Sequence, residues 1–173
     1  MADKNHYVIV SLTLGLIAAA SALLIAGTNL LTKDRIAKNE QKKINDSIAF
    51  IFGAEASIKS ESEITDESYK YVNYVYEVAS DKDLGYVFRT TGSNMYGKIT
   101  LVIGFDLNYN FVSMKSIVNE QTFTKEVENY IKGVDDQTIT INDVNCGATF
   151  GAKLVREMVN EASLANKEKV WKK

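Results

Sequence analysis

Residues 98–118 read KITLVIGFDLNYNFVSMKSIV. Apolar and β-branched residues fill Lys98 to Asp106, five turn-forming residues follow as Asp106-Leu107-Asn108-Tyr109-Asn110, and a second strand-like run extends from Phe111 to Val118. Two strands joined by a tight Asx-type connection are antiparallel neighbours. Upstream, Tyr74, Tyr76 and Val78 alternate with period two and Leu84 to Thr90 forms a further strand. Downstream the period lengthens. Phe123, Val127, Tyr130 and Ile131 make a helical stripe that Gly133 is expected to stop, Thr138 to Ile141 reads as a short strand, and Val155, Met158, Val159 and Ala162 mark a final amphipathic helix. Strands grouped before helices give an α+β class: a single soluble domain with a twisted, mainly antiparallel sheet packed on helices. Leu101, Ile103, Val155, Met158 and Val159 are expected to share its core.

Ahead of this domain, Tyr7 to Thr32 carries no ionisable group except the Tyr7 phenol. At ~1.5 Å per helical residue the run exceeds the roughly 30 Å hydrocarbon core of a bilayer. It reads as one transmembrane helix over 7–31; a signal peptide or a buried core helix are the alternatives, though the run outlasts a usual signal h-region. Ile44, Ile48, Ile51 and Phe52 then share one face of a stalk helix over 32–53, ending at Gly53. Five Lys/Arg follow the span within Lys33–Lys43 and only Lys4 precedes it. By the positive-inside rule that pattern favours a cytoplasmic C-terminal domain.

Composition narrows the function. Apolar content of 46% with 24% charge is that of a folded chain. The net charge of −2 conceals an acidic middle between basic flanks, with no Lys/Arg cluster interleaved with aromatics, so a nucleic-acid partner is set aside. A single cysteine, Cys146, and a single histidine, His6, leave no metal-ligand cluster and no histidine-based triad. No metal and no catalytic side chain is expected.

The chemistry concentrates at Asp143-Val144-Asn145-Cys146-Gly147-Ala148-Thr149, where the chain passes into the last helix. Gly147 and Ala148 let another group approach the backbone, and the unpaired first-turn N–H groups of a helix favour a phosphate. Thr149 can hold that phosphate covalently or can simply cap the helix through its hydroxyl. Asp143 can equally make an Asx-turn, and Cys146 can be a small buried hydrophobe. The residues alone leave both readings open.

Asp143, Gly147, Ala148 and Thr149 resemble the Asp-x-x-(Ser/Thr)-Gly-Ala-Thr flavinylation motif of the FMN-binding domain family. The order of the apolar span closing in Thr32-Lys33-Asp34-Arg35-Ile36, then Met95-Tyr96-Gly97-Lys98-Ile99, then Ile103-Gly104-Phe105-Asp106, then the motif, is most like the G subunit of Rnf-type ion-translocating electron-transport complexes. The related C subunit of sodium-pumping NADH:quinone oxidoreductase shares the pattern. The resemblance implies an FMN-binding domain over 54–173, with FMN joined through its phosphate to Thr149 by a flavin transferase. Ala148, Gly147, Cys146 and Asp143 would surround it, together with Glu120 and Thr122 from a loop that lies against the flavin in the family. Thr149 is then an attachment point, not a catalyst. The implied partners are the other membrane subunits of the complex, the flavin transferase and membrane lipid. The implied location is the cell membrane, single-pass, with an extracytoplasmic domain, against the Lys/Arg count.

Three departures from the family pattern stand out. Cys146 replaces Ser or Thr, Gly151-Ala152 stand where Thr-Ser commonly follows, and Glu120-Gln121-Thr122-Phe123 replaces a Pro- and Gly-containing loop. Two other functions fit the same residues: an extracytoplasmic flavin-carrying reductase domain outside any ion pump, and a flavin-free membrane-anchored adaptor with a tyrosine-rich binding surface.

Overall fold

The structure is a computed structural model and describes residues 2–144 and 147–172. Helix α1 runs Ala2–Phe52. The chain divides into two compact units, Met1–Lys42 and Lys43–Lys173.

In the first unit, α1 is long and apolar enough to cross a membrane, and none of its apolar window is buried. Leu12, Leu23, Leu24 and Ile25 are each more than three-fifths exposed. Four of its hydroxyls are nonetheless satisfied: Thr13, Ser21, Thr28 and Thr32 donate to the carbonyls of Ile9, Ile17, Leu24 and Thr28 at 2.6–2.9 Å. In hydrocarbon, where no water can take such a proton, this back-bonding is the way an alcohol avoids an unmet donor.

The second unit is built on a five-stranded antiparallel sheet in the order β1-β2-β3-β4-β5: Ser57–Glu63, Val72–Ala79, Asp83–Asn94, Gly97–Asp106 and Phe111–Asn119. Each strand pairs with the next in sequence, so the sheet is a meander. Between β4 and β5 the Asp106 carboxylate accepts from the Asn108 and Asn110 N–H groups, both at 2.8 Å, and from Asn110 Nδ2 at 3.0 Å. The Asn110 side chain, first among these donors, holds the Asp106 carboxyl below the usual carboxylate range.

The two sheet faces bury different partners. On one, the last turns of α1 lay Ile44, Ile48 and Ile51 against Tyr76, Val78, Val87, Val102 and Ile117, and Lys43 Nζ donates to the Ile117 carbonyl at 3.0 Å. On the other, helices α2 (Thr124–Asp135) and α3 (Thr149–Glu168) close the main core. Leu101, Ile103, Val155, Met158 and Val159 lie together there. The acidic residues of α3 also pin the approach to β2: Glu161 accepts from the Tyr71 and Val72 N–H groups, Glu157 from Tyr71 Oη at 2.9 Å and Glu168 from Tyr69 Oη at 2.6 Å.

Two expectations are corrected. Thr138 to Ile141 is not a strand, because its backbone is engaged by the end of α2: the N–H groups of Thr138 and Ile139 bond to the Gly133 carbonyl at 2.8 and 2.9 Å. Nor does Gly133 stop α2. It sits inside the helix, and the room left by its missing Cβ is taken by the Ile139 side chain. Two elements escaped the sequence reading: the short 3-10 helix Val170–Lys172, and β1, an edge strand that carries a single large apolar residue among polar ones.

Candidate functional site

Three chain segments converge at the N-terminus of α3. The helix begins at Thr149 with Ala148 in the N-cap position (φ −122°, ψ 53°), and no side chain caps it. The first intrahelical bond runs from Ala152 N to Ala148 O at 3.0 Å, which leaves the N–H groups of residues 149–151 without helical acceptors. Thr149 is therefore the first helical residue rather than the cap, and it is exposed. Gly147 before it has φ +76°, a left-handed conformation that costs a side-chain-bearing residue about 1–2 kcal/mol. No acidic residue stands in the first turn of α3 to oppose an anion.

Beside this terminus lies a cavity of about 250 Å³ lined by Tyr96, Gln121, Phe123, Gly147, Ala148, Thr149, Phe150 and Gly151. Tyr96 comes from the β3–β4 turn, and its ring centroid stands 6.2 Å from that of Phe123 and 5.7 Å from that of Phe150. Phe123 is 48% exposed and Phe150 60%. Exposed rings grouped in this way carry an apolar cost in water and offer faces on which a planar ring can stack.

Hydrogen bonds tie the walls together. The Thr122 N–H donates to the Tyr96 carbonyl at 2.9 Å, and the Glu120 N–H to the Lys98 carbonyl at 2.8 Å. Asn94 Nδ2 donates to the Phe150 carbonyl at 3.3 Å, while its Oδ1 accepts from the Tyr96 N–H at 2.8 Å. Gly151 lets α3 approach closely, because a Cβ there would collide with Val127 Cγ2 of α2 and stand 3.3 Å from Gln121 Oε1.

Of the residues singled out in the sequence, Thr149, Ala148 and Gly147 line the cavity together. Glu120 and Thr122 lie on the adjoining loop, outside the lining. Asp143 accepts from the Thr140 hydroxyl in its own turn and also lies outside the lining. Cys146 falls outside the described residues. The reading missed Tyr96, Gln121, Phe123 and Phe150. Phe123 had been counted in the apolar stripe of α2 but stands at its N-cap.

Comparison with known proteins brings in the other end of the chain. Residues 1–49 match the family model of the RnfG N-terminal region. The N-terminal region is similar to that of RnfG. That match covers the apolar helix and most of its continuation, while Thr149 and the cavity lie further along the chain. No curated protein matches it.

Proposed function

We propose that this RnfG-like chain is the membrane-anchored subunit of an Rnf-type electron-transport complex and carries FMN covalently on Thr149. The observation that carries the proposal is the RnfG N-terminal region over residues 1–49, on a chain whose exposed Thr149 opens a helix beside an aromatic-lined cavity. A phosphate at Thr149 would meet the N–H groups of residues 149–151, which take no acceptor among the described residues, and the positive end of the α3 dipole. Gly147 and Ala148 keep the approach to that hydroxyl clear of bulky side chains. The cavity is smaller than the roughly 300–1,000 Å³ of sites that engulf a whole drug-sized ligand, so it suits part of a planar ring.

When bound, the flavin supplies one- and two-electron chemistry that no side chain of this protein offers. The protein's part is to hold and orient. Tyr96, Phe123 and Phe150 provide stacking faces, Thr149 prevents loss of the group during turnover, and α1 keeps it beside membrane-bound partners. In this reading the domain lies outside the cytoplasm, where the flavin transferase acts, and the other subunits of the complex are its redox partners.

The test is Thr149→Val, which keeps the branched shape and removes the oxygen. Expressed with its native flavin transferase, the variant should fold and reach the membrane yet give no fluorescent band on a denaturing gel, whereas Thr149→Ser should retain weak labelling. A fluorescent Thr149→Val band would place the attachment elsewhere.

A further inference from the structure

Gln121 is the buried polar side chain of the cavity wall, only 4% exposed. Its Nε2 donates to Asn94 Oδ1 at 3.1 Å and to the Gly97 carbonyl. A backbone carbonyl only accepts, so the contact with Gly97 fixes which end of the carboxamide is nitrogen. Asn94 is fixed in the same way, since its Oδ1 receives the Tyr96 N–H. Both amide orientations follow from main-chain partners. The consequence falls on Gln121 Oε1, which takes no hydrogen bond among the described residues. It lies next to Gly151, another lining residue, where any side chain would crowd it.

An acceptor held rigidly at a cavity wall has its position set before a ligand's donor arrives, so little ordering is lost on binding. Tyr96, Phe123 and Phe150 stand beside it with ring faces for a flat ligand. Aromatic faces plus one fixed acceptor select a planar heterocycle with an N–H at its edge. The flavin ring has such a group in its imide N–H.

We infer that Gln121, locked by Asn94 and Gly97, is the residue that orients the flavin ring, its Oε1 accepting the ring's imide N–H. This rests on the reading of the site as a flavin carrier. It assigns Gln121 a positioning role and gives Gly151 a reason to lack a side chain: the glycine keeps the acceptor open.

The experiment uses the full-length Thr149→Val protein in detergent, free of covalent flavin, titrated with lumiflavin and with 3-methyllumiflavin by quenching of flavin fluorescence. The two probes differ only in the imide N–H. Lumiflavin should bind about three- to tenfold more tightly, the range given by one neutral hydrogen bond. In Gln121→Leu both probes should bind as 3-methyllumiflavin binds the parent. A purely steric penalty on the methyl group would instead persist against leucine. Equal affinities in the parent, no quenching by either probe, or a preference that survives in folded Gln121→Leu would overturn the inference. Should Gln121→Leu fail to fold, as judged by its melting curve, Gln121→Met, which also lacks the oxygen acceptor, takes its place with the same expectations. Equal affinities would leave covalent flavin on Thr149 standing, and absence of that flavin from the wild type would sink the carrier reading without altering the probe ratio.

Discussion

At the residue scale, two of the departures of this sequence from the flavinylation pattern, Gly151 and the substituted loop, are linked by contact. Gly151, in place of a larger residue, admits Val127 from α2 and faces Gln121 from the substituted loop. Gly151→Ala would gain about 1 kcal/mol of helix propensity. The added Cβ would meet a buried β-branched side chain with little freedom to move, and overpacking of this kind costs roughly 1–3 kcal/mol. Gly151→Ala should therefore melt below wild type, and pairing it with Val127→Ala should reduce that penalty. Additive losses in the double variant would show that the two positions do not compete for space. None of this was legible in the sequence, where Gly151 registers only as a departure and Gln121 as one residue of a replaced loop. The position of Thr149 where the last helix begins was legible from its neighbours in sequence. The aromatic walls were not, because they come from three segments that only the fold brings together.

At the element scale, what could be read depended on whether burial imposed a period. Strands β3, β4 and β5 and helix α3 are buried along a face, and their apolar residues announced them. Edge strand β1 is largely exposed, with Ile58 its one apolar side chain packed in part against the core, so its sequence obeys solubility more than packing. The 138–141 segment misled for the opposite reason: Ile139 and Ile141 are partly buried against the core, but their backbone finds a helix carbonyl instead of a strand.

Helix α3 closes that core with Met158 fully buried. Met158→Asp would strand a charge there at a cost of several kcal/mol and should unfold the domain, seen as loss of the cooperative melt; a folded variant would contradict the packing. The same helix holds Tyr69, whose phenol is pushed up to about 12, chiefly by desolvation and then by its bond to Glu168. Because the folded value is raised above the ordinary value near 10, this contribution to stability is complete below about pH 10. It is lost as pH rises toward 12. Tyr69→Phe should flatten the alkaline decline of the melting temperature, and an unchanged decline would assign it to other groups.

For the whole molecule, an apolar helix long enough to cross a membrane and an α+β unit fit a single-pass anchor joined to one folded domain. The proposed extracytoplasmic location opposes the Lys/Arg count after the span. Lys70 is exposed on the second unit, so Lys70→Cys in a Cys146→Ser background should react with an impermeant thiol reagent in intact cells. Protection until lysis would put the domain in the cytoplasm.

The central claim is the covalent bond at Thr149, and the most direct measurement is the intact mass of the wild-type protein purified after expression with its native flavin transferase. The account predicts an added mass of one FMN less one water, localised by fragmentation to the peptide containing Thr149 and absent from Thr149→Val. An unmodified wild-type mass under those conditions would contradict it.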